Sequence, residues 1–242
     1  MTSPLEEPIL RSMELDATKL RLVTNGVEAF YVEVVPDEQR KRLTKKFNLP
    51  QDRPLMLFVG NHTTNKGLDV LLKSLPMMRQ QACAVVAGAI RSRVEHEKLL
   101  AEAGVAESAD RLIFTDFVTK EELRALYQTV DLFVFPTRAD TLPLVVLEAM
   151  VSSLPVVSTR VGGIPYEVTP ETGILVEPGD PIALSRALDQ LCDQPESRRA
   201  IGVAARARVL AIFNWEASAK RAVEIYREVL EGRANRHSAE VK

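Results

Sequence analysis

From residue 55 onward the chain alternates short apolar runs with amphipathic stretches, and no other feature limits its fold so tightly. The runs at 55–59, 83–87, 112–114, 132–135, 156–158 and 174–176 are strand-like, each followed by a helical pattern. Those helices read at about 67–79, 93–104, 120–129, 143–152 and 180–193. Short apolar strands separated by helices build βαβ units, and hence a parallel sheet with helices on both faces. Ligands of such sheets lie at the carboxyl ends of the strands. Two more helices are expected near 196–211 and 215–231, then a polar, frayed tail from Gly232. Upstream, 19–23 reads as a first strand ended by the turn pair Asn25-Gly26. A charged helix follows at about 36–47, before Pro50 and Pro54 break the chain.

The 242 residues suffice for one large α/β domain or two small ones. A net charge of −2 argues against nucleic acid as a partner, because phosphate-backbone binding requires a basic stripe. No apolar run is long enough to span a bilayer, and Met1 is not followed by the basic and apolar blocks of a signal peptide. Cys83 and Cys192 lie in apolar or helical surroundings without metal spacing, so they read as buried free thiols in a reducing cytoplasm. His62, His96 and His237 are scattered and no Asp-x-Asp pair occurs, so no bound metal is expected.

Four stretches depart from a plain scaffold. Leu142 to Val151 is apolar on every side except at Glu148, which marks a buried helix carrying one carboxylate. A buried carboxylate needs a partner: the hydroxyls of a bound ribose, a backbone amide, or a nearby arginine such as Arg160. Asp140, just before that helix, can cap it or face a ligand at the strand end, where the amides of Leu144 and Val145 could hold phosphate. In Gly60-Asn-His-Thr-Thr-Asn-Lys-Gly67, Thr64 or Asn65 would cap the next helix. Lys66 then sits against the positive end of its dipole, either as a solvated lysine or as the partner of an anion. Gly162-Gly163 is either a turn or a place of close backbone approach. Neither a Walker A loop nor Gly-x-Gly-x-x-Gly is present, which argues against an unrelated Rossmann-like dehydrogenase or epimerase.

Several motifs follow one another in order: Phe58-Val-Gly-Asn-His-Thr-Thr-Asn-Lys-Gly67, Val86-Ala-Gly88, and Phe114 through Glu-Glu-Leu-x-x-Leu-Tyr127. Next comes Phe135-Pro-Thr through Val168, in which Asp140 and Glu148 flank seven residues ahead of Pro-Val-Val and Gly-Gly. With Val23-Thr-Asn-Gly-Val27, they resemble the C-terminal nucleotide-sugar domain of family 4 retaining glycosyltransferases, which have the GT-B fold. The likeness runs from about Arg21 to Leu230. It implies a Rossmann-like α/β domain at 51–212, an interdomain remnant at 1–50 and a C-terminal helix and tail at 213–242. By that resemblance Glu148 binds ribose, Asp140 the donor sugar, and Lys66 the diphosphate, so that Lys66 and Asp140 are the catalytic pair. Gly60, Asn61 and Gly88, with the amides of Leu144 and Val145, complete the donor site, and main chain near Val118 reads the base.

The resemblance further implies a retaining transfer from a nucleoside diphosphate sugar, UDP or GDP, without metal or other cofactor, to an unknown glycan, lipid or small-molecule acceptor. The expected location is the cytoplasm, free or peripheral at the inner membrane face. Three residues differ from the family: Asn61 replaces an arginine, Asp140 the first glutamate, and Tyr166 the glutamate after Gly-Gly-Ile-Pro. The family's acceptor-binding domain is not in the sequence, so an acceptor domain on a partner chain or in a longer product is expected. The alternative is a non-catalytic nucleotide-sugar-binding module.

Overall fold

The computed structural model describes residues 1–90 and 92–240, with backbone alone at 95, 105–107 and 232–240. Six strands form one sheet: β1 (Leu55–Val59), β2 (Cys83–Ala87), β3 (Leu112–Asp116), β4 (Leu132–Phe135), β5 (Val156–Thr159) and β6 (Gly173–Val176). Their order is β3-β2-β1-β4-β5-β6 and every pairing is parallel. β1, β2, β4 and β5 are buried at each residue, because helices cover both faces and no strand position is left for a polar side chain to reach water.

The helices between strands are α4 (Leu68–Ser74), α5 (Arg93–Glu102), α6 (Lys120–Tyr127), α7 (Leu144–Val151) and α8 (Ile164–Glu167). The chain closes with α9 (Pro181–Asp193), α10 (Pro195–Ile212) and α11 (Trp215–Glu240), the last carrying the backbone past Gly232. Ahead of the sheet lie α1 (Glu7–Ser12), α2 (Ala29–Val32) and α3 (Asp37–Lys46). The path runs outward from β1 to β3 and then crosses back to β4 on β1's other side. The loops after β1 and β4 therefore diverge, opening a crevice at the point where strand order reverses.

Three local expectations are corrected. Residues 19–23 form no strand: a 3-10 turn at Ala17–Lys19 leads into extended chain, whose one ladder contact is the isolated bridge Val27–Asn214. The Val23 amide donates to the Met1 carbonyl at 3.0 Å rather than to a strand of the sheet. The helix read at 67–79 stops at Ser74 and continues as a 3-10 turn, Leu75–Met77, because Pro76 has no N–H for a helical bond. Neither Thr64 nor Asn65 caps α4. Gly67 takes that place with φ 75°, packed so closely that a Cβ would lie 1.8 Å from the Pro136 carbonyl oxygen.

The terminal segments are tied to the sheet domain. The Val27 amide donates to Phe213 O at 3.0 Å, and Arg206 donates to Val32 O at 3.1 Å. Val27, Tyr31, Val35 and Phe213 join the same buried core as the strands.

Candidate functional site

At the crevice lies a cavity of about 530 Å³. Gly60, Asn61 and Lys66 reach it from the loop after β1, Gly88 from the end of β2, and Val118 from the loop after β3. Asp140, Leu144 and Val145 close it from the segment that opens α7. These are the residues singled out from the sequence except for Glu148, which does not line the cavity. Glu148 lies one turn further along α7, on the face shared with Leu144 and Val145 by helical spacing. Backbone packing shapes the floor: Gly88, at φ 150°, sits where a Cβ would come within 1.9 Å of the Gly60 carbonyl oxygen. Only glycine lets the ends of β1 and β2 approach this closely.

Asp140 does not cap α7. The residue before the first helical turn is Pro143, and no side chain accepts a hydrogen bond from that turn. Asp140 is three residues too early: its Oδ1 accepts from the Thr141 amide at 3.0 Å, while its Oδ2 lies 2.6 Å from Lys66 Nζ. The lysine also lies 5.5 Å from the centre of the Phe135 ring. Lys66 is thus neither a solvated lysine nor an isolated cation; it is half-buried and ion-paired across the cavity. The loop that carries it is pinned from beneath by Arg138, which grips both oxygens of Asp69 at 2.7 Å and whose amide donates to Asn65 O.

The cavity's other end is apolar. Ala87, Ala89, Val118 and Leu123 line it, and Phe117 stands at its mouth with 81% of its surface exposed. Phe117 was missed in the sequence, where an aromatic after a strand is indistinguishable from a core residue. Among the described residues no side-chain hydrogen-bonding group lines that end, so a flat apolar ligand there meets their main chain and carbon.

Glu148 finds neither Arg160 nor a backbone amide. Arg160 instead faces Glu177 at 3.6 Å, and the Tyr127 hydroxyl donates to Glu148 Oε2 at 3.1 Å. Burial pushes the Glu148 carboxyl up to about 7, against the opposing effect of that hydrogen bond. Glu167 is fully buried, and both its oxygens lack a partner among the described residues. Burial, reinforced by the charge of Asp140, holds its carboxyl well above the usual range.

Two histidines far apart in sequence also meet: His62 Nδ1 lies 3.3 Å from His96 Nδ1, and burial pushes His62 down to about 4. Among the described residues no three His, Cys, Asp or Glu side chains gather as a metal site would require. Cys83 and Cys192 are both buried and free.

This geometry offers a cation and two uncapped helix amides at one end of a cleft and an apolar slot at the other. It suits a ligand that joins an anion to a flat ring. A larger cavity, about 690 Å³, lies at the opposite end of the sheet between α3 and the starts of β1 and β4. It is lined by exposed Lys41 and Lys45 and half-buried Arg40 and Arg53 together with Asp37 and Asp131, away from the strand ends where this fold binds ligands.

Residues 39–208 match the family model of glycosyl transferases group 1. A D-inositol 3-phosphate glycosyltransferase of Corynebacterium diphtheriae is 34% identical over 199 residues, covering 78% of this chain and 45% of that protein. A sulfoquinovosyl transferase of Arabidopsis thaliana is 36% identical over 209 residues, covering 84% of this chain and 38% of that protein. Among solved structures, a sucrose-phosphate synthase from Thermosynechococcus elongatus superposes with a TM-score of 0.81 at 31% identity, over 96% of this chain and 58% of that one. The C-terminal domain of a glycosyl transferase group 1 family protein from Francisella tularensis shares the fold (TM-score 0.62, 23% identity), over 74% of this chain and 95% of that domain. The chain spans about half the length of the curated relatives it matches.

Proposed function

Because the chain belongs to the group 1 glycosyl transferases, we propose that it is the donor-binding half of a retaining sugar transferase, with a nucleoside diphosphate sugar as its donor. One observation carries the reading: Lys66, the first-turn amides of α7 and the apolar slot beside Val118 open onto a single cavity. In this reading the diphosphate lies between Lys66 and the amides of Leu144 and Val145, over the backbone of Gly60 and Gly88. The base enters the apolar slot against main chain near Val118, and Glu148 takes the ribose hydroxyls. Asp140 contacts the sugar ring. Departure of the nucleoside diphosphate is helped by Lys66 and the helix end, which stabilise the charge that develops on it. Asn61 stands where the family resemblance places a second cation, so leaving-group stabilisation is weaker here by about 10²-fold in rate.

UDP and GDP are the expected donor nucleotides, and transfer proceeds without a divalent metal. The acceptor is a glycan, a lipid or a small molecule. No helix among the described residues is long and apolar enough to cross a membrane. We infer a cytoplasmic location, free or peripheral at the inner membrane face, in keeping with two buried free thiols.

Calorimetric titration of the purified chain with UDP and GDP tests the donor site. Binding is expected, with Lys66→Ala weakening it about 10- to 100-fold through loss of a charged hydrogen-bond donor. No binding of either nucleotide would sink the reading. Asn61, in place of the family's cation, favours a second reading, a nucleotide-sugar-binding module without turnover of its own. Donor hydrolysis and transfer, assayed with and without a chelator, separate the two: turnover by this chain alone excludes the module.

A further inference from the structure

Glu148 is the one charged side chain on α7, and among the described residues it makes no salt bridge. Phenols surround it instead. Tyr127, buried at the end of α6, has its hydroxyl 3.1 Å from Glu148 Oε2 and 3.3 Å from the Val145 carbonyl. Tyr31, buried on α2, meets the Tyr127 ring edge to face at 6.0 Å, and burial together with the charge of Glu148 raises its phenol. The nearest cation is engaged elsewhere: Lys120 pairs with Glu28 at 2.5 Å and lies over the rings of Phe30 and Tyr31. Glu28, Lys120 and Glu121 are the charged groups facing this cluster.

A carboxylate held by phenol hydroxyls differs from one held by an arginine. A carboxylate offers roughly four acceptor positions, and phenols occupy only part of that capacity without neutralising it. Glu148 is half-buried, so the remainder of that capacity is left for the hydroxyls of a ligand. Each phenol is fixed by ring packing, so the carboxyl has little freedom to swing into another rotamer.

We propose that Tyr31 and Tyr127 are positioning residues whose hydroxyls hold the Glu148 carboxyl, one turn along α7 from the cavity lining, in the one orientation that accepts the ribose hydroxyls of a nucleoside diphosphate. The proposal rests on the donor-site reading given above. It also assigns a role to α2, which lies upstream of the residues matched by the family model. The N-terminal segment thereby supplies part of the ribose site.

The test uses Tyr127→Phe and Tyr31→Phe, which keep the ring packing and remove only a hydroxyl. UDP and GDP are titrated beside their 2′,3′-dideoxy counterparts through the neutral pH range. Each variant is expected to bind the ribonucleotides about five- to tenfold more weakly, the effect of one hydrogen bond, with dideoxynucleotide affinity unchanged. Losing a donor to the ionised carboxyl also moves the midpoint of the pH dependence upward, and Glu148→Gln removes that dependence altogether. Equal losses for ribo- and dideoxynucleotides, or an unmoved midpoint, overturn the positioning role while leaving the donor site standing. Failure of the unaltered chain to bind any of the four nucleotides overturns the donor-site reading and this proposal together.

Discussion

Two glutamates, both displaced upward by burial, behave differently because one has partners and the other does not. Glu148 is met by the Tyr127 hydroxyl and burial pushes its carboxyl up to about 7, so binding of a ribonucleotide is expected to weaken as pH falls through about 7. Titration of UDP on either side of neutrality checks this. Glu167 has no partner among the described residues and is held well above its ordinary value of 4.5. Its folded form stays protonated while the unfolded chain ionises. The stability of the chain is therefore undiminished by Glu167 below the ordinary carboxylate pKa and is lost as pH rises above it. Glu167→Gln should accordingly match the parent in acid and exceed it increasingly toward alkaline pH, as read by chemical denaturation at both ends. Asp140 carries the third residue-scale expectation. Its carboxylate competes with a bound diphosphate for Lys66, 2.6 Å away. Asp140→Asn is expected to tighten UDP or GDP by roughly fivefold, the worth of a partly screened ion pair, while slowing any sugar transfer. A weaker diphosphate complex in that variant would show that Asp140 does not restrain the lysine. Lys66, Asp140 and Glu148 could be singled out in the sequence, because a charge inside an apolar run or against a helix dipole demands an explanation. Their partners could not, since Tyr127 is separated from Glu148, and Asp140 from Lys66, by whole elements of structure.

At the level of elements, the order and type of the sheet strands and most helices followed from periodicity, whereas their ends did not. Ends depend on what the chain meets in space. Gly67 illustrates this: it opens α4 in a left-handed conformation because the Pro136 carbonyl leaves no room for a side chain. Gly67→Ala is expected to cost about 3 kcal/mol or more, or to prevent folding, because it adds backbone strain to a steric clash. Urea denaturation of the variant checks it, and a near-parental midpoint would show that the loop can shift. The 3-10 segment Val105–Arg111, ahead of β3, was not anticipated at all. Buried Arg111 ties it to the start of β2, donating to Leu75 O and Gln80 O at 2.7 Å and to Ala82 O at 3.1 Å. A lysine cannot reproduce that planar fan of donors, so Arg111→Lys should cost about 2–4 kcal/mol in the same experiment without altering nucleotide affinity.

For the whole molecule, a ligand that binds only the folded state raises its stability by mass action. At about 100 times its dissociation constant the gain is about 2.7 kcal/mol, which in a domain of this size raises Tm by roughly 5–10 °C. Thermal unfolding with and without UDP or GDP measures it, and no shift at saturation would contradict a site within the folded domain. The six-stranded parallel sheet, its helical cover and the cavity's place at the strand ends could be read from sequence. Alternating apolar runs and amphipathic helices have few ways to bury themselves, and the parallel sheet is the one that suits strands apolar on both faces. The family, too, was legible, because its motifs keep their order and spacing along the chain. Only the folded structure decided which polar groups meet: Lys66 with Asp140 from opposite walls of the cavity, Arg138 with Asp69 beneath it, and Glu148 with Tyr127. It also decided that residues 19–23 stay outside the sheet while Tyr31, a few residues on, packs beside the site. Periodicity records which face of an element avoids water, a one-body property of each segment. The pairing of polar groups depends on distances between segments, and those exist only once the chain has closed around its core.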